Sequence, residues 1–311
     1  MTGWSGDGAP GTGSLREFAI GAVTQHFTRS LARVEGRDFK LPSEHQLDAM
    51  EAFQLSLGRS ADFSLSALTF NDTNVETGKS LFVNGTGNPS AGGRCAACHS
   101  NAGALAGNLQ NRNFNTNVED VVHPARSIEN FPLDGRFGQT DNGDGTFGNR
   151  TFNTTPAVEG ADTGPFFHNN LTATLDGVID FYTGPEFNNP RAVTARFSFD
   201  ATQRAQMIGF LRGVNTLQNI DVAVRELDEI LAINGNPQKE QETRLQTAFE
   251  ETQDAIDVLS TGGLFPAAVT LLTDARTLIQ QAQQTNNPGE RRAFVQQALA
   301  KLGSARGTIA T

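Results

Sequence analysis

Apolar residues recur at helical spacing in some stretches of this chain and vanish from others. Leu15, Phe18, Ala19, Ala22, Val23, Phe27 and Leu31 keep a three-and-four rhythm behind Ser14. Ser14 suits a helix N-cap, so the pattern predicts a helix from residue 15 to about residue 34. A second helix is predicted from Ser43 to Leu57, with Leu47, Met50, Ala52, Phe53 and Leu57 on its apolar side and Gly58 ending it. "VETGKSLFVNG" reads as a short helix stopped by Asn84 and Gly85. "TATLDGVIDFYTG" reads as a helix with Leu175, Val178, Ile179 and Tyr182 on one side. "SFDATQRAQMIGFLRGVNTL" is another, carrying Met207, Ile208, Leu211 and Val214.

Beyond about residue 218 the composition shifts. Amphipathic segments are predicted at roughly 218–233, 238–260, 265–284 and 289–303, broken by "NGNP", "TGG" and "NNPG". Short connections favour antiparallel neighbours, so this part predicts a small bundle or helical hairpins. It holds no Cys, His, Met or Tyr, and packing or partner binding is the expected role. Residues 84–170 contrast with it. They are rich in Gly, Asn, Asp, Thr and Pro with little periodicity, a long loop-rich body that a cofactor or metal would organise. Residues 1–13 also read as loop.

Composition narrows the classes. With 37% apolar residues the 311-residue chain has ordinary core material. A net charge of −10 argues against an electrostatic nucleic-acid footprint, which needs clustered cations. No apolar run approaches the roughly 18 residues that suggest a membrane span. The first residues lack the basic start and apolar stretch of a signal peptide.

Both cysteines fall in "GGRCAACHSNAG". A redox CxxC belongs at a helix start in a βαβ context, and none surrounds Cys95. A structural zinc site needs four ligands, usually two close pairs, and no second pair exists. C-x-x-C-H is also the attachment signature of c-type haem. There Cys95 and Cys98 become thioethers to the porphyrin, and His99 ligates the iron from the proximal side. That reading uses all three residues and is preferred. Nearby phenylalanines can pack on porphyrin edges. Arg94, Arg112, Arg126, Arg136 and Arg150 include partners for its propionates, undecided among them. "TDNGDGTFG", residues 140–148, resembles a calcium loop but lacks its first acidic residue and late Glu, so a tight turn is expected.

The stretch "GKSLFVNG…CAACH…FNTTPAVEGADTGPFFHNNLTATLDGVIDFYTG…MIGFLRGVNTL" resembles the C-terminal haem domain of bacterial di-haem cytochrome c peroxidases. The methylamine-utilisation di-haem enzymes belong to the same superfamily. The resemblance covers about residues 70–217. Upstream, "GWSGDGAPGTGSLREFAIGAVTQ" is similar to the segment between that family's two haem domains. The implied organisation is an N-terminal helical segment (1–69), a cytochrome c-type haem domain (70–217) and a C-terminal helical domain (218–311), mainly α with long loops.

The resemblance also implies roles. "TGPFFH" is similar to the family's T-A-P-Y-x-H, in which Thr and Pro carbonyls help hold calcium; here these are Thr163 and Pro165. His168 matches a histidine near the haem interface. Where the peroxidases carry a distal methionine ligand this chain has Tyr182, its only tyrosine, fourteen residues after His168. The methylamine-utilisation enzymes have a ligating tyrosine there. A phenolate prefers ferric or higher states, so Tyr182 implies a low potential, whereas a thioether raises it. Met207 is the next distal candidate, then His123 and His168, with an open sixth position also compatible. Trp4 matches a tryptophan placed between the haems, and Trp4 and His168 are the catalytic candidates. His26 could serve a haem supplied from elsewhere, though a surface role is favoured.

The family has two CxxCH motifs and this chain has one. A fragment, half of a split protein and a descendant without its first haem all fit. The expected function is therefore electron transfer with a redox partner protein or second haem module. The alternatives are a peroxidase or other haem oxidoreductase using high-valent iron, and a subunit docking through its tail helices. Covalent haem attachment in bacteria implies a periplasmic or extracellular location.

Overall fold

The structure is a computed structural model. It describes residues 14–30, 32–56, 63–87, 93–107, 112–118, 121, 150–189, 196–233 and 238–311, without the side chains of Gln25, His26 and Ser56. Trp4, His123, Arg126, Arg136 and the 140–148 turn lie outside the described residues. The described part is mainly helical.

Eight α-helices carry it: α1 (Leu15–His26), α2 (Glu44–Ser56), α3 (Thr73–Asn84), α4 (Leu175–Thr183), α5 (Ala201–Ala232), α6 (Gln238–Gly262), α7 (Pro266–Gln284) and α8 (Pro288–Ile309). Local chemistry sets their starts. Ser14 accepts the Glu17 N–H, Asp72 those of Asn74 and Val75, and Thr174 that of Gly177. Asp200 and Gln203 form a capping box on α5. Two short strands, β1 (Asn113–Phe114) and β2 (Phe152–Asn153), pair antiparallel.

Two expectations are corrected. The helix predicted to residue 34 stops at His26. Beyond it, Thr28 Oγ1 donates to the Ser30 carbonyl and the Arg29 N–H to the Asp38 carbonyl, contacts that compete with helix continuation. The helices predicted at 198–217 and 218–233 are one, since α5 runs unbroken for 32 residues. Its polar interior positions have partners, described below.

Helices α5 to α8 form a four-helix bundle in which each packs on the next and α8 returns onto α5. Its core is fully enclosed: Leu217, Ile220, Leu227, Leu245, Leu259, Leu272, Ile279 and Leu302 are all below 2% exposed. The amino-terminal half of α5 also serves the loop-rich body, because α3 crosses it closely. A Cβ on Gly78 would strike the Gln206 carbonyl and the Phe210 Cβ. The bundle's last residues are sewn to the body as well. Thr69 and Thr311 exchange N–H···O bonds at 2.9 and 3.0 Å, and the Asn71 amide donates to the Gly307 and Thr308 carbonyls.

Candidate functional site

The CxxCH stretch folds as tight helical turns. The Cys98 and His99 N–H groups both donate to the Cys95 carbonyl, at 3.1 and 2.8 Å. Cys95 and Cys98 are free thiols. After His99 the chain enters left-handed conformation at Asn101 (φ 53°) and Ala102 (φ 59°), a region that favours glycine. This turn aims the Ala102 carbonyl at the segment 154–163, where it accepts the Ala157 and Val158 N–H groups, each at 2.9 Å.

That docking has a consequence for His99. Its Nδ1 lies 2.8 Å from the Thr155 carbonyl. A carbonyl only accepts, so Nδ1 carries the proton and the neutral ring keeps its lone pair on Nε2. Burial holds the imidazole pKa below its usual value, against the pull of the Thr155 and Gly103 carbonyls. A neutral ring, fixed by a backbone acceptor and offering Nε2, is the form that ligates metal.

Cys95, Cys98 and His99 line one cavity of about 450 Å³, within the range of about 300–1,000 Å³ usual for ligand pockets. Its walls come from every part of the body. Phe82 of α3, Phe114 of β1, Phe152 of β2, the loop residues Phe187 and Phe197, and Leu211 of α5 are among them. α4 contributes Leu175, Val178, Ile179 and Tyr182, a stripe spaced at i, i+3, i+4 and i+7. Arg204 of α5 pairs with Asp180 and donates to Thr183, fixing α4 against α5. On α5 itself, Met207 lines the same cavity and is fully buried.

Tyr182 stands in a cage of rings. Phe187, Phe181, Phe167 and Phe197 surround it at centroid distances of 4.9, 5.3, 6.0 and 6.4 Å, three of them edge-on. Its hydroxyl makes no hydrogen bond to any described residue. Burial pushes its pKa well up, and the two thiols reinforce that shift electrostatically. The same burial pushes Cys95 up to about 12, with Cys98 adding to it, and Cys98 up to about 11. Such thiols stay protonated at neutral pH, the opposite of an activated redox cysteine.

The other candidates are placed as follows. His168 lines the cavity with its ring stacked on Phe152, centroids 3.9 Å apart. Phe167, beside it, has φ 68°, a strained setting for a bulky side chain of the kind that collects at functional sites. Thr163 and Pro165 lie exposed on the cavity wall, and the Thr163 hydroxyl donates to the Glu159 carbonyl at 2.7 Å. The neighbouring Asp162 carboxylate accepts from Asn215 and Asn219 instead. Of the described arginines proposed for propionates, Arg94 lines the cavity while Arg112 and Arg150 do not. Among the described residues, no three His, Cys, Asp or Glu side chains are arranged to hold a bare metal ion.

The donor set therefore fits a c-type haem better than a lone metal. Two thiols outside any disulfide, an imidazole whose Nδ1 is tied to the Thr155 carbonyl, aromatic walls and one arginine share a cavity of the right scale. Sequence reasoning missed Thr155, whose contribution is a backbone carbonyl. It also missed Asn215 and Asn219, whose spacing of four in an apolar helix was the available signal. No described helix is long and apolar enough to cross a membrane. No protein-family model, no curated protein and no solved structure matches this chain.

Proposed function

We propose that the cavity takes one covalent haem c and that the chain is a c-type electron-transfer protein. The observation that carries this is the convergence in one cavity of Cys95, Cys98 and His99 with Tyr182 and Met207, residues more than 80 positions downstream of the motif. Cys95 and Cys98 would be the thioether anchors and His99 the proximal ligand, held through Nδ1 by Thr155. The haem, when bound, supplies an iron that exchanges single electrons. The chain's own residues bind and orient it, exclude water with phenylalanine rings, and offer Arg94 to a carboxylate.

Tyr182 is the proposed distal ligand, with Met207 the alternative. Tyr182 lines the cavity and its hydroxyl bonds to no described residue, whereas Met207 already serves the apolar core. Ligation would need loss of the phenolic proton, which burial alone opposes and a nearby ferric iron would favour. The resemblance and this attachment chemistry support a location outside the cytoplasmic membrane and a redox protein or second haem module as partner. The same phenol favours a second reading, an oxidoreductase working with that second module, because an anionic ligand stabilises oxidised iron. No part of the proposal runs through calcium: Asp162 is committed to α5, and among the described residues no set of three His, Cys, Asp or Glu side chains gathers at Thr163 and Pro165.

A spectrum in alkaline pyridine tests the haem, and a colourless protein ends the proposal. Tyr182→Phe should change the ferric spectrum and raise the reduction potential, with Met207→Leu changing neither. The reverse result assigns the sixth position to Met207. Peroxide turnover with a reduced donor would favour the oxidoreductase reading.

A further inference from the structure

The bundle reaches the site through a polar contact that is buried on the α5 side. Asn215, in the middle of α5, is 0% exposed, and Asn219 one turn on is 3% exposed. Asn215 Oδ1 accepts the Ala161 N–H at 2.8 Å, and its Nδ2 donates to Asp162 Oδ2 at 2.7 Å and to Asn219 Oδ1 at 3.2 Å. Asn219 Nδ2 donates to the same Asp162 oxygen at 3.1 Å. Ala161 and Asp162 thus hang from α5 on three bonds with mutually satisfied donors and acceptors. A few residues earlier the same segment carries the Ala157 and Val158 amides that grip Ala102, and the Thr155 carbonyl that holds His99 Nδ1. Satisfying buried amides inside a helix is demanding, and a Leu at either position would pack α5 without them.

We propose that Asn215, with Asn219 and Asp162, is a positioning bracket: it holds segment 154–163 against the bundle so that the Thr155 carbonyl fixes the ring of His99. Its functional meaning rests on His99 being the iron ligand. A hydrogen bond at Nδ1 makes an imidazole a stronger donor at Nε2, so the bracket sets how firmly and with what basicity His99 binds.

The bracket also faces charge. Glu251 of α6 has its carboxyl pushed up to about 7, by burial first and then by Asp254, Glu159 and Asp162, with Arg225 of α5 pulling it down. Asp254 is raised too, by burial and by Asp162, Asp257 and Glu250. Above neutral pH, Glu251 adds a negative charge opposite Asp162. The hold on His99 should therefore loosen as the pH rises from 6 to 8.

The experiment is ring-nitrogen NMR on full-length protein labelled with ¹⁵N-histidine, in the reduced state if haem is present. The readout is the Nδ1 proton of His99 and its exchange with solvent. Asn215→Leu should speed that exchange about tenfold, the scale set by losing one hydrogen bond's protection. Leu272→Ala, which damages the far bundle core, should leave it unchanged. If both variants speed exchange equally, Asn215 is only a packing residue and the bracket fails. Should Asn215→Leu not fold, Asn219→Ala removes one donor to Asp162, and no change there overturns the proposal. Wild-type exchange should be faster at pH 8 than at pH 6, and Glu251→Gln should flatten that difference; an unaltered pH profile in the variant contradicts it. The readout is an imidazole proton, not the iron. A missing haem spectrum would sink the proposed function and leave the bracket to be judged by its own exchange data.

Discussion

From α5 to α8 the interior is mostly Leu, Ile, Val and Ala at three-and-four spacing, with a few bonded polar groups such as Asn215 and Arg291, and it is closed to solvent. Around the CxxCH turns the interior is rings. Val118, Phe181, Phe187 and Phe197 form a small buried cluster, with Phe152, Phe167, Tyr182 and Phe199 partly buried against it, beside about 450 Å³ of open cavity. The first region carries its own filling. In the second, backbone is ordered by turns, caps and side-chain clamps such as Asn188, which bonds the Gly184 and Phe197 carbonyls and the Phe197 N–H. A void forfeits the dispersion contacts of every atom that lines it, so such a body gains most from a ligand that fills it.

The largest expected effect comes from denying the body the haem proposed to fill it. Cys95→Ser with Cys98→Ser should abolish covalent haem. Limited proteolysis should then cut within residues 93–200 while circular dichroism keeps most of the helical signal, because the bundle needs no cofactor. A double variant that resists proteolysis like the parent would erase the distinction between the two regions.

Truncation comes next in size. Leu302→Ala opens a hole in a closed core and should cost about 2–5 kcal/mol in urea unfolding, with no change in the ferric spectrum. Phe187→Ala merely widens an existing cavity. It should cost less than the ~3–5 kcal/mol of a packed Phe, yet shift the spectrum, since Phe187 is the described ring nearest Tyr182 at 4.9 Å. Equal costs and equal spectra from the two variants would show that the cavity is packed as tightly as the bundle.

The same contrast decided what could be read from sequence. Helices with stripes were legible: Ser14 caps α1 as the pattern indicates, and the caps Asp72 and Thr174 lie within three residues of the predicted starts of α3 and α4. The pattern overran α1 because Phe27 fits the stripe, although in the fold it is 73% exposed and the chain has already turned. It split α5 at about residue 218, where the composition shifts, and the sequence does not display the Asp162 partner that makes Asn219 an internal helix position. In the site, Cys95, Cys98 and His99 announce themselves by spacing, and Tyr182 stands out as the sole tyrosine on an amphipathic helix. Thr155 does not, because it acts through a carbonyl that every residue has. The pairing of β1 with β2 rests on two residues each, too few for any alternation to show.

The smallest effect falls at the junction of the two regions. Glu251 is bound to its proton more tightly in the folded chain, with a pKa near 7, than at its usual value of 4.5. Below about pH 4.5 both folded and unfolded chains hold that proton, and the residue is neutral in the balance. As the pH rises toward 7 the unfolded chain releases it first, so folding is progressively disfavoured, and above about 7 the loss is complete. Asp254 shifts in the same direction and adds to it. Glu251→Gln should therefore match the parent near pH 4.5 and exceed it in urea midpoint at pH 8. Glu251 is half-buried, so water screens the repulsion and the gain should be modest, about 1 kcal/mol or less. A variant less stable than the parent at pH 8 would mean that the ionised carboxylate holds a favourable contact, with Arg225, which pulls its pKa down, the cation to supply it. In that case the ionised carboxylate would join α6 to α5 within the bundle at high pH rather than strain the junction with the cavity segment.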